Sequence, residues 1–297
     1  MDQVEYLSMC YVQACEAILH AQPHRRVRCN VGYGRQGDEK EMILKSSTDQ
    51  PADAMPRVGV FIPNYNYGRF IAKALESVMA QSYPPLDVVV VDDGSSDDSA
   101  HVIERCLARI NGVRRTAFYR QPVNGGKLAA LNAVMHEMTA PYMLTLDADD
   151  QLEPDYVERC LQTLLEARAE DPRVAMVYTD CLLIDAAGEL IDRGRSTAFD
   201  FDKLQTLSYI PEPALCLSEA CLEVMPFDAG IKIGTKHHKW LRMVARGWKG
   251  LYFAEPLFRY RMHDGNLSQI GRRVLMEIES GQRGERILSG YWATTRA

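Results

Sequence analysis

Short apolar runs alternate with amphipathic stretches through the middle of this chain. Val58–Ile62 is a compact apolar run, and Val88–Val91 is unbroken valine, the pattern of a strand buried on both faces of a parallel sheet. Arg114–Tyr119 and Tyr142–Leu146 supply a third and a fourth strand. Between them, Phe70–Met79, a segment from Ser95 or Ser96 to about Ile110, and Lys127–Met138 read as helices; Asp97 and Asp98 favour a helix start where they stand. Strand–helix alternation of this kind predicts an α/β domain with a mostly parallel sheet flanked by helices. Earlier in the chain, Val4, Leu7, Tyr11, Ala14, Ile18 and Leu19 fall at helical spacing over residues 4–20. Basic, Gly-rich and then Ser/Thr/Asp/Pro-rich text follows to residue 56. The expected organisation is an appendage over 1–56, an α/β domain over 57–270 that divides near residue 155, and a helical tail over 271–297.

Bulk properties narrow the function classes. A chain of 297 residues is long enough for one large domain with a proper core. Its formal net charge of −6 argues against general nucleic-acid binding, which needs a basic face. The eight cysteines are scattered, without a Cys-x-x-Cys pair or zinc spacing. The start, Met1-Asp2-Gln3-Val4-Glu5, lacks the basic and apolar regions of a signal peptide, and no run approaches the ~18 apolar residues of a membrane span. No membrane span is expected, and the cytoplasm is the expected compartment.

The unusual text falls where strands end. The first strand runs into Pro63-Asn64-Tyr65-Asn66, the second into Asp92-Asp93-Gly94-Ser95, and the fourth into Asp147-Ala148-Asp149-Asp150. Asn124-Gly125-Gly126-Lys127 opens a helix between them. Ligands of open α/β sheets bind at the carboxyl ends of the strands. Carboxylates crowded there repel and lose hydration, a cost that a hard cation removes; oxygen ligands at this density suit Mg²⁺ or Mn²⁺. A solvated acidic loop capping the next helix is the plainer alternative for that turn alone. The four loops together fit a nucleotide sugar. Tyr65 is placed to stack on a base, and Asp92 or Asp93 to accept from a base or ribose. Gly126 and Lys127 offer backbone donors and a cation to phosphate, while Asp147 and Asp149 offer ligands to a divalent ion.

The blocks Ile62-Pro63-Asn64-Tyr65-Asn66, Ser77-Val78-Met79-Ala80-Gln81-Ser82-Tyr83, Val91-Asp92-Asp93-Gly94-Ser95-Ser96-Asp97, Asn124-Gly125-Gly126-Lys127 with Ala130-Leu131-Asn132, and Leu146-Asp147-Ala148-Asp149-Asp150 with Pro154-Asp155 stand in one order. In that order and spacing, Val58–Asp155 resembles the donor-binding half of a family 2 glycosyltransferase with the GT-A fold. The resemblance implies metal-dependent, inverting transfer of a sugar from a nucleoside-diphosphate donor, most often a uridine one. The acceptor is left open among small molecules, glycans and peptides. The resemblance puts Pro63, Tyr65 and Asp93 at the base, Asp147 near ribose or metal, and Asp149 as principal metal ligand. Tyr178-Thr179-Asp180 matches a commonly polar strand end. Arg259-Tyr260-Arg261-Met262-His263 resembles a later family segment, which offers His263 to the metal and Arg261 to phosphate.

The acceptor half departs from the pattern at one place. Phe227-Asp228, Ile231-Lys232-Ile233-Gly234 and Trp240-Leu241-Arg242-Met243 follow the text around the family's Glu-Asp motif, whose carboxylate deprotonates the acceptor, but Thr235-Lys236 stands in its place. Lysine accepts a proton only if burial or positive neighbours drive its pKa far down. Three readings follow: His237 or His238 is the base; the acceptor is already ionised and Lys236 binds its charge; or the protein binds sugar nucleotides without turnover, as a scaffold. Gln269-Ile270-Gly271-Arg272-Arg273 lacks the tryptophan of processive, membrane-bound members, which favours single addition. A phosphotransfer receiver domain is disfavoured, because a complete strand precedes the Asp92-Asp93 pair and a long segment follows the fourth strand.

Overall fold

The computed structural model describes residues 55–206, 208–232 and 234–266, with two further short strands, Lys45–Ser46 and Arg286–Ile287. The helix expected over 4–20, most of the appendage and the tail expected over 271–297 lie outside the described residues.

Strands β1 (Val58–Asn64) and β2 (Leu86–Asp92) are buried at every residue. β3 (Arg115–Arg120) and β4 (Tyr142–Thr145) complete a parallel set in the order β3-β2-β1-β4. Period-two alternation divides the valines between two cores. Val58, Val60, Ile62, Val88 and Val90 face α1 (Gly68–Met79) and α2 (Ser99–Arg109), whereas Phe61, Val89 and Val91 face α3 (Lys127–Ala133). Along α1, Phe70, Ile71, Ala74, Leu75 and Val78 are buried, the stripe that a helix lays on a sheet. Asp87, buried early in β2, is held by Arg57 at 2.7 Å and Arg114 at 2.9 Å.

The parallel set is extended by antiparallel and parallel neighbours. β5 (Gln151–Leu152), β6 (Val174–Ile184), β7 (Leu190–Arg195), β8 (Ala214–Leu217) and β9 (Lys249–Arg261) continue the sheet as β4-β8-β6-β9-β5, with β7 beside β6. β8 runs antiparallel to β4, pairing Met143 with Cys216. α4 (Tyr156–Glu170) precedes β6; α5 (Phe201–Thr206) and α6 (Ser218–Leu222) flank β8, and α7 (Thr235–Ala245) precedes β9. Trp240 of α7 is fully buried against the second core, and its indole Nε1 donates to the Ile210 carbonyl at 3.1 Å.

The strands and the first helix shift by a residue or two from the sequence pattern, and two helix boundaries shift further. α2 starts at Ser99 rather than Ser95 or Ser96, because the Asp92 and Asn66 side chains take the Ser95 and Ser96 amides, and Asp97 takes that of Ser99. The helix expected to reach Met138 ends at Ala133 and gives way to a 3₁₀ turn over Met135–Glu137.

Candidate active site

Strands β1 to β4 end at one rim, and their turns interlock through carboxylates. Asp93 accepts from the Gly125 amide at 2.8 Å and the Gly126 amide at 2.6 Å, so the turn after β2 fixes the loop that opens α3. Gly94, at φ +72°, lets that loop pass: a Cβ there would stand 2.9 Å from the Asn124 amide nitrogen. Asp92 is wholly buried and accepts from Asn64 Nδ2 at 2.8 Å and Ser95 Oγ at 2.5 Å. Among the donor residues expected from sequence, Asp92 and Asp93 thus hold the rim together, and the glycine amides expected to face phosphate bind Asp93 instead. Pro63 lies within β1, and Tyr65 in the turn beyond is 44 % exposed.

The acidic turn follows β4. Asp147 Oδ1 receives Lys127 Nζ at 2.5 Å. The same ammonium bonds Glu212 Oε2, while Lys239 of α7 bonds Glu212 Oε1. Burial disfavours the Lys127 ammonium, but Asp147 and Glu212 reverse this and raise its pKa well above the usual lysine range. Burial likewise works against the Glu212 carboxylate; Lys127 and Lys239 outweigh it and bring the pKa to about 2. Asp147 is shifted upward by burial and by the carboxylates of Glu212 and Asp149, against the pull of Lys127. Burial, then Asp149 and Asp147, push Asp150 well above the ordinary range. Asp150 Oδ1 accepts the Arg261 amide at 2.9 Å, and its buried Oδ2 has no hydrogen-bond partner.

The end of β9 closes over this turn. His263 Nε2 lies 3.0 Å from Asp149 Oδ2, which also accepts from Asn266 Nδ2 at 3.2 Å. The Gly265 amide donates to His263 Nδ1 at 3.0 Å, which leaves the proton on Nε2. Arg261 turns its guanidinium onto backbone: Nε donates to the Asp149 carbonyl at 2.9 Å and Nη1 to that of Asp185 at 3.0 Å. These contacts make Arg261 a clamp on the acidic turn rather than a group directed at phosphate. Tyr67 packs edge-on to His263 with ring centroids 5.6 Å apart; burial and then Asp149, Asp147 and Asp150 raise its phenol pKa.

On α7, Lys236 and Lys239 stand three residues apart on one buried face. Burial lowers the Lys236 pKa to about 7, with Asp147 opposing, Lys127 adding to the fall, and Glu212 and Asp150 opposing. His237 Nε2 faces the Leu204 carbonyl at 2.8 Å, and burial lowers its pKa, as it does that of His238. The charged neighbours acting on His238 are Arg242 and Asp228. Lys236 is thus brought into the field of the acidic turn, whereas His237 is seated on backbone and His238 beside the Phe227-Asp228 segment.

Among the described residues, no group of three or more His, Cys, Asp and Glu side chains is arranged to hold a metal ion. Mg²⁺ and Mn²⁺ commonly take one or two protein ligands and complete their shell with water and phosphate oxygens. The Asp149–His263 pair, with Asp147 in the same turn and the unpartnered Asp150 oxygen behind it, fits that requirement.

Glu212 and Tyr67 escaped the sequence reading, as did Lys239 and Asn266, which bond Glu212 and Asp149 respectively. Glu212 is a lone acid within the apolar stretch Tyr209–Leu217, a pattern that signals a buried, paired carboxylate. Tyr67 is two residues beyond the tyrosine expected to matter, and no pattern separates the two.

A GT-A sheet whose rim combines an acidic turn, a histidine and a lysine is a nucleotide-sugar transferase architecture. The Glycosyl transferase family 2 signature matches residues 59–205, and this part of the chain is a domain of that family. GlyA, a glycosyltransferase of Streptococcus pneumoniae serotype 4, is 25 % identical over 243 residues, which are 78 % of this chain and 34 % of that protein. The hyaluronan synthase of Pasteurella multocida is 34 % identical over 159 residues, 53 % of this chain and 16 % of the synthase. The chain therefore spans about a third or less of these relatives' length. In fold it resembles S. aureus TarS in complex with UDP, with a TM-score of 0.53, 15 % identity and coverage of 76 % of this chain and 65 % of that one. It also resembles the mannosyltransferase PcManGT of Pyrobaculum calidifontis in complex with GDP-Man and Mn²⁺, with a TM-score of 0.55, 18 % identity and coverage of 94 % and 72 %. No helix among the described residues is long and apolar enough to cross a membrane.

Proposed function

We propose that this chain transfers a sugar, with inversion, from a nucleoside-diphosphate donor to an acceptor hydroxyl, using Mn²⁺ or Mg²⁺. Uridine is the preferred base, on the family resemblance and the UDP complex of TarS. The observation that carries this reading is the meeting of the Asp149–His263 pair with Lys127 at one strand rim. Asp149, His263 and Asp147 would hold the cation, which supplies a positive charge to the leaving diphosphate. Lys127 adds a fixed ammonium beside it. Pro63 and exposed Tyr65 serve the base, Asp93 supports that side by holding the Gly125–Gly126 loop, and Arg261 keeps the acidic turn in place. The donor half is 57–155 and the acceptor half 156–270, flanked by the 1–56 appendage and the 271–297 tail. Free cysteines in the described core suit a reducing cytoplasm.

Lys236 is the group we assign to the acceptor. With a pKa of about 7, a large fraction of its amine is neutral near neutral pH. A neutral amine can take the proton of the acceptor hydroxyl as its oxygen bonds the anomeric carbon and the carbon–diphosphate bond breaks. The rival assignment is an ionised acceptor held by the Lys236 ammonium. His237 and His238 remain candidate bases, with less support from their surroundings.

A screen of nucleotide sugars with and without Mn²⁺, read by thermal shift, tests the donor assignment. Stabilisation by a uridine nucleotide only with metal is expected; no response to any nucleotide would overturn it. Metal-dependent binding without donor cleavage toward any acceptor class would favour the silent, scaffold reading.

A further inference from the structure

Glu212 is almost wholly buried, and both its oxygens hold lysines from different parts of the molecule. Lys127 comes from the start of α3 on the donor side. Lys239 comes from α7, the helix on which Thr235-Lys236 replaces the acidic motif. Sheet geometry explains the meeting. β8 runs antiparallel to β4 with Met143 opposite Cys216, so the segment that leads into β8 and the turn that leaves β4 lie at the same end of this strand pair. Glu212 and Asp147 therefore flank one ammonium, that of Lys127, at the mouth of the acidic turn.

We infer that Glu212 is a positioning residue that fixes the Lys127 ammonium against Asp147 and ties α7 to the donor site. A lysine on a four-carbon stem is a mobile point charge, and two carboxylates on opposite sides leave it one place to stand. Because Lys239 shares the same carboxylate, α7 is registered to that place, and Lys236, three residues earlier, is aimed with it. Thr235-Lys236 thus stands on the acceptor helix where the family pattern has acids, while the segment leading into β8 supplies a carboxylate. The consequence for nucleotide binding rests on the donor assignment above; the hold on Lys127 does not.

The test uses Glu212→Gln with Lys239→Met in the full-length protein, a pair that removes the carboxylate and the second lysine together and leaves no unpaired buried charge at position 239. Lysine acylation is followed site by site by mass spectrometry, with exposed Lys73 as internal reference. A fall of one pKa unit raises the neutral fraction of an amine about tenfold. We expect Lys127 labelling to rise by about that factor, and the UDP affinity measured with Mn²⁺ to fall about 10-fold or more. If Glu212 serves only to neutralise Lys239, Lys127 stays with Asp147 and labels at the wild-type rate, which overturns the inference. Wild-type UDP affinity in a variant whose Lys127 labels freely also overturns it. If the double variant does not fold, Glu212→Asp poses the same question with the charge kept and the reach shortened. A wild-type protein that binds no uridine nucleotide would sink the donor assignment, and the labelling would still decide whether Glu212 holds Lys127.

Discussion

His263 Nε2 and Asp149 Oδ2 stand 3.0 Å apart, joining the end of β9 to the turn after β4 across more than a hundred residues of chain. Two potential metal ligands brought together this way are already oriented. The Gly265 amide seats the imidazole through Nδ1 and Asn266 holds the carboxylate; Nε2, which faces Asp149, gives up its proton to ligate a cation. Asp149→Ala should abolish metal-dependent nucleotide binding and activity. Asn266→Ala, which leaves both ligands but loosens one, should weaken Mn²⁺ affinity by about 10–100-fold. Calorimetry with UDP across a Mn²⁺ titration separates the two, and Mn²⁺-dependent binding by the Asp149 variant would refute the site.

Lys236 gives the site a pH dependence whose sign distinguishes its two roles. Its pKa of about 7 means that the amine loses its proton as pH rises through neutrality. A general base works in the neutral form, so kcat/KM should climb through pH ~7 and then level. A clamp for an anionic acceptor works in the charged form, and the same profile would fall. We expect the rise. Lys236→Met should lower kcat by about 10²- to 10⁴-fold with UDP binding preserved. His237→Ala and His238→Ala should retain most turnover, and a loss as large as that of the Lys236 variant would move the base to the histidine concerned.

Asp93 supports the site from beneath. Its carboxylate takes the N–H groups of Gly125 and Gly126, and among the described residues no other side chain accepts from them. Asp93→Ala would strip both amides, at about 1–3 kcal/mol for each donor left unsatisfied. Melting temperature should fall, and nucleotide affinity should fall with it as the start of α3 and Lys127 loosen. Faster amide exchange at Gly125 and Gly126, measured by hydrogen–deuterium exchange, would locate the loss.

Much of the sheet was legible because period and burial coincide. The valines of β2 admit no other reading than a strand covered on both faces, and four turns at one rim follow from parallel strands. The family resemblance named Asp149 and His263 for one metal, and the fold sets their side chains 3.0 Å apart. Arg261 was found by the same route, but its direction was not: a guanidinium suits backbone carbonyls as well as phosphate, and only packing decides between them. Asp93 shows the same ambiguity, since a carboxylate at a turn can meet a ligand or its own neighbouring loop. Glu212 was missed because its significance depends on strand register, which pairs positions far apart in sequence. The depressed Lys236 pKa was foreseen only as a condition, because desolvation is a property of the assembled core.

Trp240 carries the last prediction. Its fully buried indole anchors α7 in the second core and donates to the Ile210 carbonyl at 3.1 Å, with Lys239 Nζ lying 4.0 Å from the ring centroid. Trp240→Ala removes the anchor and should cost about 3–5 kcal/mol, enough to leave the fold marginal. Trp240→Phe retains most of the apolar volume but leaves the Ile210 carbonyl short of a donor, and should cost less. Because Lys236 and Lys239 lie on the buried face beside this residue, the phenylalanine variant should keep metal-dependent UDP binding yet lose kcat. Urea unfolding gives the order of stabilities, and steady-state kinetics gives the split. An equal loss of UDP affinity and kcat would show that α7 bears on donor and acceptor alike, against its assignment to the acceptor side.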